Sequence, residues 1–126
     1  DCTSDWQDDL REITHLIKAN TTGKIVAIGE CGLDFHYPDY NMQRQKDAFR
    51  AQIELALEHD LALIVHTRDA HDATLRVLEE YVSHAPRGII HCFSENMDFA
   101  HQVIAWGYAL GIGGTISYPK NEQLRT

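Results

Sequence analysis

Three short apolar runs, each followed by a polar residue, constrain the fold of this chain more than any other feature. The runs are Lys24–Gly29, Leu61–Val65 and Gly88–Ile90. Their length and continuous apolar character are typical of strands that are covered on both faces. Because helical segments separate them, and strands that alternate with helices form parallel sheets, we predict an α/β fold with a parallel sheet.

The segments around these runs carry apolar residues at helical spacing. Helices are predicted over Trp6–Ala19, over Asn41–His59, over a third segment that Asp69 or Asp72 caps and Pro86 ends, over Met97–Trp106, and from Asn121 to Arg125. In the third helix Leu75, Leu78 and Val82 are expected to face inward. Gly107 is placed to end the helix before it in a left-handed conformation. A fourth, glycine-rich strand is predicted over Tyr108–Ile116.

The composition excludes several classes of protein. The net charge of −8 leaves no basic surface of the kind that binds nucleic acid by releasing counterions, so a phosphate partner would need metal cations. No run of about 18 apolar residues is present, which argues against a membrane partner. Three cysteines without a CxxC spacing favour a reducing compartment, the cytoplasm. No stable protein partner is predicted.

The number of strands bears on the architecture. The 126 residues suffice for a single domain, and no linker or low-complexity tract divides residues 1–126. Four strands cannot close a barrel, and a complete β/α barrel takes about 250 residues. We therefore expect one domain that is a partial β/α barrel, covering roughly the middle half and lacking the first and the last strands.

Each of the three runs leads directly to a side chain that can bind a metal, namely Glu30, His66 and His91. The carboxyl ends of parallel strands lie at one edge of a sheet, so these side chains should converge. Two imidazoles and a carboxylate suit a borderline divalent ion that activates water for hydrolysis. One strand-end histidine alone is more often an ordinary hydrogen-bonded residue, but three consecutive strand ends favour a metal site.

Strand alternation predicts which face each ligand shares. It places the three ligands on the face of the residues two positions earlier, which are Ile28, Ile64 and Ile89. Cys31 and Cys92 have the opposite parity, so we interpret both as small buried apolar residues rather than as ligands.

Other polar residues just past the strand ends are candidates for supporting roles. Arg68 could bind a substrate phosphate through both arms of its guanidinium. Asp34 could orient a histidine from behind the metal ligands, and Asp69 could do the same or cap the following helix. His36 and His71 are weaker candidates for the site.

Three segments together resemble the TatD family of metal-dependent deoxyribonucleases. They are Ile28–Asp34, Val65–Ala70 and Ile90–Phe93, and the likeness extends from about Trp6 to the end of the chain. The resemblance implies a TIM barrel of the amidohydrolase type and cleavage of phosphodiester bonds in DNA. It also implies two divalent ions, Mg, Mn or Zn, bridged by a catalytic Glu30, with His66 and His91 completing the shell of one ion.

The chain departs from the family pattern in two places. Family members also supply a His-x-His pair from the first strand and an aspartate from the last, and this sequence has neither. We therefore expect the fragment alone to be inactive. Two alternatives remain open: an amidohydrolase-like enzyme acting on small esters, amides or phosphate esters, and a non-catalytic half-barrel that serves as a binding module.

Overall fold

The computed structural model describes residues 5–125 of the chain. Within them helices and strands alternate in the order α1 (Trp6–Ala19), β1 (Ala27–Asp34), α2 (Met42–Glu58), β2 (Ala62–Arg68), α3 (His71–Glu79), β3 (Gly88–Ile90), α4 (Met97–Ala105) and β4 (Tyr108–Leu110). Short 3-10 helices lie at Val82–His84, Gly114–Ser117 and Glu122–Leu124. The predicted α/β order is confirmed. No helix in this part of the chain has the length and apolar character needed to cross a membrane.

The four strands form one parallel sheet in the order β1-β2-β3-β4. The order follows the sequence without reversal, whereas a doubly wound fold reverses direction at its ligand-binding crevice. Right-handed connections that always advance in one direction place their helices on the same side of the sheet. This arrangement is how a β/α barrel is built, strand by strand.

The core lies between that layer of helices and one face of the sheet. Leu63, Val65 and Ile90 point into it from the strands and are fully buried. They pack in one apolar cluster with helix residues, among them Phe49, Ile53, Val77, Leu78, Phe99 and Val103. On the other face of the same strands, Ile64 and Ile89 remain partly exposed. The sheet therefore has one packed face and one open face.

Helix ends follow the sequence in α2 and α4 but not in α3. Asn41 and Asn96 each accept a backbone N–H with their side chains and so cap α2 and α4. Gly107 has a φ of 93°, which confirms it as a left-handed terminator. The prediction that Asp69 or Asp72 caps α3 is wrong, because the capping position is Ala70 and no side chain bonds there.

The third helix also differs in its extent and in its buried face. It ends at Glu79, before Val82, which lies in a separate 3-10 helix. Of the three residues expected to face inward, Leu78 is fully buried, while Leu75 and Val82 are only partly buried. Val77 and Thr74 take the remaining core positions.

Three strands differ in length from the sequence prediction. β2 runs from Ala62 to Arg68 instead of ending at Val65, so His66 lies inside the strand. β1 begins later and runs on to Asp34, so Glu30 lies inside the strand rather than at its end. β4 ends at Leu110 instead of Ile116. Its neighbour β3 is only three residues long, and a strand can extend its ladder only as far as a partner is present.

Candidate metal centre

An irregularity in β1 places Glu30 on the open face of the sheet. In the pairing with β2, Gly29 is opposite Ile64 and Cys31 is opposite Val65, so Glu30 is an extra residue without a partner. Such a bulge redirects a side chain locally. Ile28 and Cys31 both lie on the packed face. The prediction that Glu30 shares the face of Ile28 is therefore wrong, although Glu30 does face His66.

The bulge requires close contact between the two strands. Gly32 has a φ of 140°, and a Cβ atom there would overlap the carbonyl oxygen of His66. Glycine is the residue that allows both this conformation and this approach. The spacing Gly-Glu-Cys-Gly thus brings Glu30 and His66 within reach of each other.

The structure brings the three predicted ligands together on the open face. The Glu30 Oε1 atom lies 2.7 Å from His66 Nδ1, and Glu30 Oε2 lies 3.8 Å from His91 Nε2. All three side chains are partly exposed, between 30% and 47%. One carboxylate therefore spans two imidazoles in a position that solvent and a substrate can reach.

The chemistry of these donors fits a divalent cation. The His66 ring lies between two carboxylates, with Nδ1 facing Glu30 and Nε2 3.2 Å from Asp34 Oδ2. A neutral imidazole has one hydrogen to donate and two acceptors facing it, so a cation in place of one contact would balance the charges. As the side chains stand, no three His, Cys, Asp or Glu residues within 5–125 are grouped to hold a metal. To bind an ion, His66 would therefore have to exchange one of its two carboxylate contacts for a bond to that ion.

Hydrogen bonds fix the position of Asp34 beside His66. Its backbone N–H donates to the side-chain oxygen of Gln45 and its carbonyl accepts from the Gln45 amide, both at 2.8 Å. Its carboxylate accepts the backbone N–H of His36 at 2.9 Å. Partial burial acts to raise the pKa of Asp34, but the hydrogen bonds from His36 and His66 outweigh it and the pKa lies below its ordinary value. The carboxylate is therefore charged beside His66.

The two other predicted residues lie farther along the same edge. Arg68 is exposed at the end of β2, with its guanidinium carbon 5.9 Å from the centre of the Tyr37 ring. Asp69 has a φ of 54° and its carboxylate lies 2.8 Å from His36 Nδ1. The structure places neither residue in contact with the predicted ligands.

With this geometry in view, the comparisons with known proteins identify the family. The family model for TatD related DNase matches residues 2–126. The chain belongs to the TatD family. The 3'-5' ssDNA/RNA exonuclease TatD of Yersinia pseudotuberculosis is 37% identical over 113 residues, which are 90% of this chain and 43% of that protein. The metal-dependent hydrolase YabD of Bacillus subtilis is 39% identical over 95 residues, 75% of this chain and 37% of that protein.

Solved structures of TatD proteins share the fold. The TatD homologue YJJV of Escherichia coli superposes with a TM-score of 0.81 at 32% identity, over 88% of this chain and 42% of that one. A TatD family hydrolase of Entamoeba histolytica gives a TM-score of 0.69 at 26% identity, over 82% and 35%. The chain therefore spans less than half the length of these TatD relatives.

Of the two cysteines next to predicted ligands, one matches the sequence interpretation. Cys31 is 4% exposed, and burial, with a smaller contribution from the Glu30 charge, raises the pKa of its thiol to about 12. A thiol in that state is a small apolar residue and a poor ligand. The prediction for Cys92 is wrong: it is exposed, because β3 ends at Ile90 and Cys92 lies in the turn that follows.

Sequence reasoning missed three residues around this TatD site. Gln45 is 8% exposed. The sequence did contain a signal for its burial, because Gln45 lies four positions before Phe49 and so falls on the apolar stripe of α2. Glu95 lies after β3, where burial raises the pKa of its carboxyl group, with Oε2 3.5 Å from His71 Nδ1. Tyr37 falls in an irregular loop, where no periodicity exists to indicate its role.

Proposed function

We propose that this TatD protein is a metal-dependent nuclease that hydrolyses phosphodiester bonds in single-stranded nucleic acid, with DNA as the principal substrate. One observation carries the proposal: the Glu30 carboxylate spans His66 and His91 on the open face, near the carboxyl ends of the strands. The TatD exonuclease of Yersinia pseudotuberculosis is named for single-stranded DNA and RNA, which supports the choice of substrate. We further propose a cytoplasmic location, on the cysteine usage, and a β/α barrel of which this chain forms a part.

The ligands that we propose are Glu30, His66 and His91. Nitrogen and oxygen donors of this kind suit zinc or manganese, and magnesium with substrate phosphates completing its shell. A divalent ion bound there would supply Lewis-acid activation of water and of the phosphoryl group. A bound cation would also offset the net charge of −8, which disfavours the approach of a polyanion.

The residues around the ligands have positioning roles in this proposal. Asp34 accepts from His66 Nε2 and so fixes the orientation of the ring. Gln45 in turn holds both backbone groups of Asp34, which ties the site to α2. Arg68 lies on the same edge of the sheet, exposed, and would bind a substrate phosphate with its guanidinium.

The proposal is tested first by metal binding to this chain. Calorimetric titration with Zn²⁺ or Mn²⁺ should show that Glu30→Gln binds at least about tenfold more weakly than the parent, because the amide has lost the charge that faces both histidines. Glu58→Gln, at the exposed end of α2, removes the same charge away from the site and should bind like the parent. Equal affinity in all three proteins would contradict the assignment of Glu30.

The substrate class is tested separately by hydrolysis. We expect metal-dependent cleavage of a single-stranded oligonucleotide by the longer barrel protein of which we propose this chain forms a part, and none by its Glu30→Gln variant, at equal folded content by circular dichroism. Cleavage of small carboxylic or phosphate esters without cleavage of the oligonucleotide would favour an amidohydrolase-like enzyme. Metal binding without hydrolysis of either class would favour a binding module.

A further inference from the structure

A second group of side chains lies next to the candidate metal centre, beyond the ends of β1 and β2. We call it the Tyr37 patch, and it consists of His36, Tyr37, Arg68 and Asp69. Tyr37 is 65% exposed, and Arg68 is exposed beside it. Large aromatic side chains with this exposure have no role in the core, and aromatic rings near a site with a cationic neighbour are frequent contacts for ligands.

The Tyr37 ring is oriented by its neighbours. The Arg68 guanidinium lies over the ring, 5.9 Å from its centre, and the His36 ring packs edge-on at 5.2 Å with an interplanar angle of 83°. His36 is itself fixed, because its Nδ1 lies 2.8 Å from Asp69 Oδ2. The exposed ring is therefore presented in a defined orientation.

The loop that carries Tyr37 is tied to both strands. The Phe35 N–H donates to the Arg68 carbonyl at 3.0 Å, which continues the pairing of β1 with β2. The Tyr40 N–H donates to the Tyr37 carbonyl at 3.3 Å and closes a turn after the aromatic residue. A ligand would thus meet a preformed surface.

One carboxylate connects the Tyr37 patch to the candidate metal centre. Asp34 accepts the His36 N–H with Oδ1 and contacts His66 Nε2 with Oδ2. Asp34 also lies directly opposite Arg68 in the register of β1 and β2. A strand of nucleic acid with one phosphate at the metal centre would extend its neighbouring nucleotide over the Tyr37 patch.

We propose that Tyr37 stacks on an unpaired base of the substrate while Arg68 binds the adjacent phosphate, so that the patch selects single-stranded nucleic acid. This inference rests on the proposed function and adds the residue that reads the base. Stacking on an aromatic ring requires an open base face, which a duplex does not offer, and it tolerates every base because each has a π-face. With a net charge of −8, stacking has to replace the basic groove that such proteins usually carry.

The test compares two oligonucleotides that differ only in their bases. Fluorescence anisotropy in EDTA measures the binding of a labelled oligothymidylate and of an abasic strand of the same length, without cleavage. The parent should bind the oligothymidylate more tightly than the abasic strand. Tyr37→Ala should lose about tenfold for the oligothymidylate and little for the abasic strand. Tyr37→Phe should retain the parent affinity, because it keeps the ring.

Two further variants complete the design. Arg68→Gln should weaken the binding of both strands to a similar extent, since it acts on the phosphate. Tyr118→Ala removes another exposed tyrosine, 52% exposed and distant in sequence, and should bind like the parent. Circular dichroism on each variant verifies the fold.

The inference is overturned if the parent binds both strands equally, if duplex DNA binds as tightly as the oligothymidylate, or if Tyr37→Ala leaves the preference for bases unchanged. Failure of the proposed function would look different. In that case Glu30→Gln would leave metal binding unchanged while the base-dependent binding persisted. Metal binding and hydrolysis without any base preference would contradict only the role of Tyr37 and would leave the proposed function intact.

Discussion

The two faces of the parallel sheet differ in what they contribute. Leu63 and Val65 point towards the helices and are completely buried, whereas Ile64 and His66, their neighbours in β2, lie on the open face. The packed face contains the apolar contacts that stabilise the fold, and the open face contains the polar side chains of the candidate site. Stability and chemistry are therefore assigned to alternate residues of the same strand, and substitutions should separate them.

The largest expected effect comes from β2 itself. Leu63→Ala should lower the free energy of unfolding by about 2–5 kcal/mol, because it leaves a cavity in the packed core. Ile64→Ala, one residue along, removes a side chain of equal size from the open face and should cost less than half as much. Urea denaturation followed by circular dichroism measures both. Equal losses would show that the open face is as tightly packed as the other.

The second prediction concerns Gln45, which links the helix layer to the site through Asp34. Gln45→Leu leaves the N–H and the carbonyl of Asp34 without their partners and should destabilise the protein by about 1–3 kcal/mol. It should also weaken Zn²⁺ binding several-fold, because Asp34 no longer holds His66 in place. Gln102→Leu, on the exposed side of α4, is the control and should change neither quantity. A stability loss with unchanged metal affinity would confine Gln45 to a structural role.

The smallest effect is expected on the outer surface of the helix layer. The Arg50 guanidinium donates two hydrogen bonds to Glu80 and lowers the pKa of that carboxyl group from its ordinary 4.5. Since the folded pKa lies below the unfolded one, the pair stabilises the protein above about pH 4.5, and this stabilisation is lost as the pH falls through the folded value. Both side chains are partly exposed, so the contribution at pH 7 is under about 1 kcal/mol.

Glu80→Gln tests whether loss of this ion pair changes stability without changing metal binding on the open face. The variant should be slightly less stable than the parent at neutral pH, and this difference should shrink as the pH falls through the folded pKa of Glu80 and the carboxylate takes up its proton. Thermal unfolding across this pH range, at low and high salt, measures the difference. Zn²⁺ affinity should stay unchanged. A difference in stability that does not shrink as the solution is acidified would assign the effect to packing instead of charge.

Much of the fold could be predicted because it depends on periodicity. The bounds of α1 and β3 agree with the prediction, and α2 and α4 differ only at their terminal residues. Periodicity could not locate the bulge in β1, because an unpaired residue is a property of two strands and not of one. It also could not set the length of β4, which is limited by the short β3 rather than by its own composition.

The candidate site was predictable in its location and not in its details. The rule that parallel strands end at one edge was sufficient to group Glu30, His66 and His91 as a hypothesis. The contact between Asp34 and His66 depends on where β1 ends, and Asp69 does not cap α3 because the capping position falls on Ala70. Both are decided by local backbone geometry, which sequence spacing does not record.

The extra residue in β1 makes chain length at that point more restrictive than side-chain identity. Deleting one residue between Ile28 and Cys31 would restore uninterrupted alternation while the flanking side chains kept their own orientation. Loss of Glu30 would remove the carboxylate, and loss of Gly29 would remove the irregularity that redirects it. Relatives should therefore tolerate substitutions at Ile28 and Cys31 far better than a deletion between them. A reading of the strand that ignored the extra residue would assign Glu30 to the packed face.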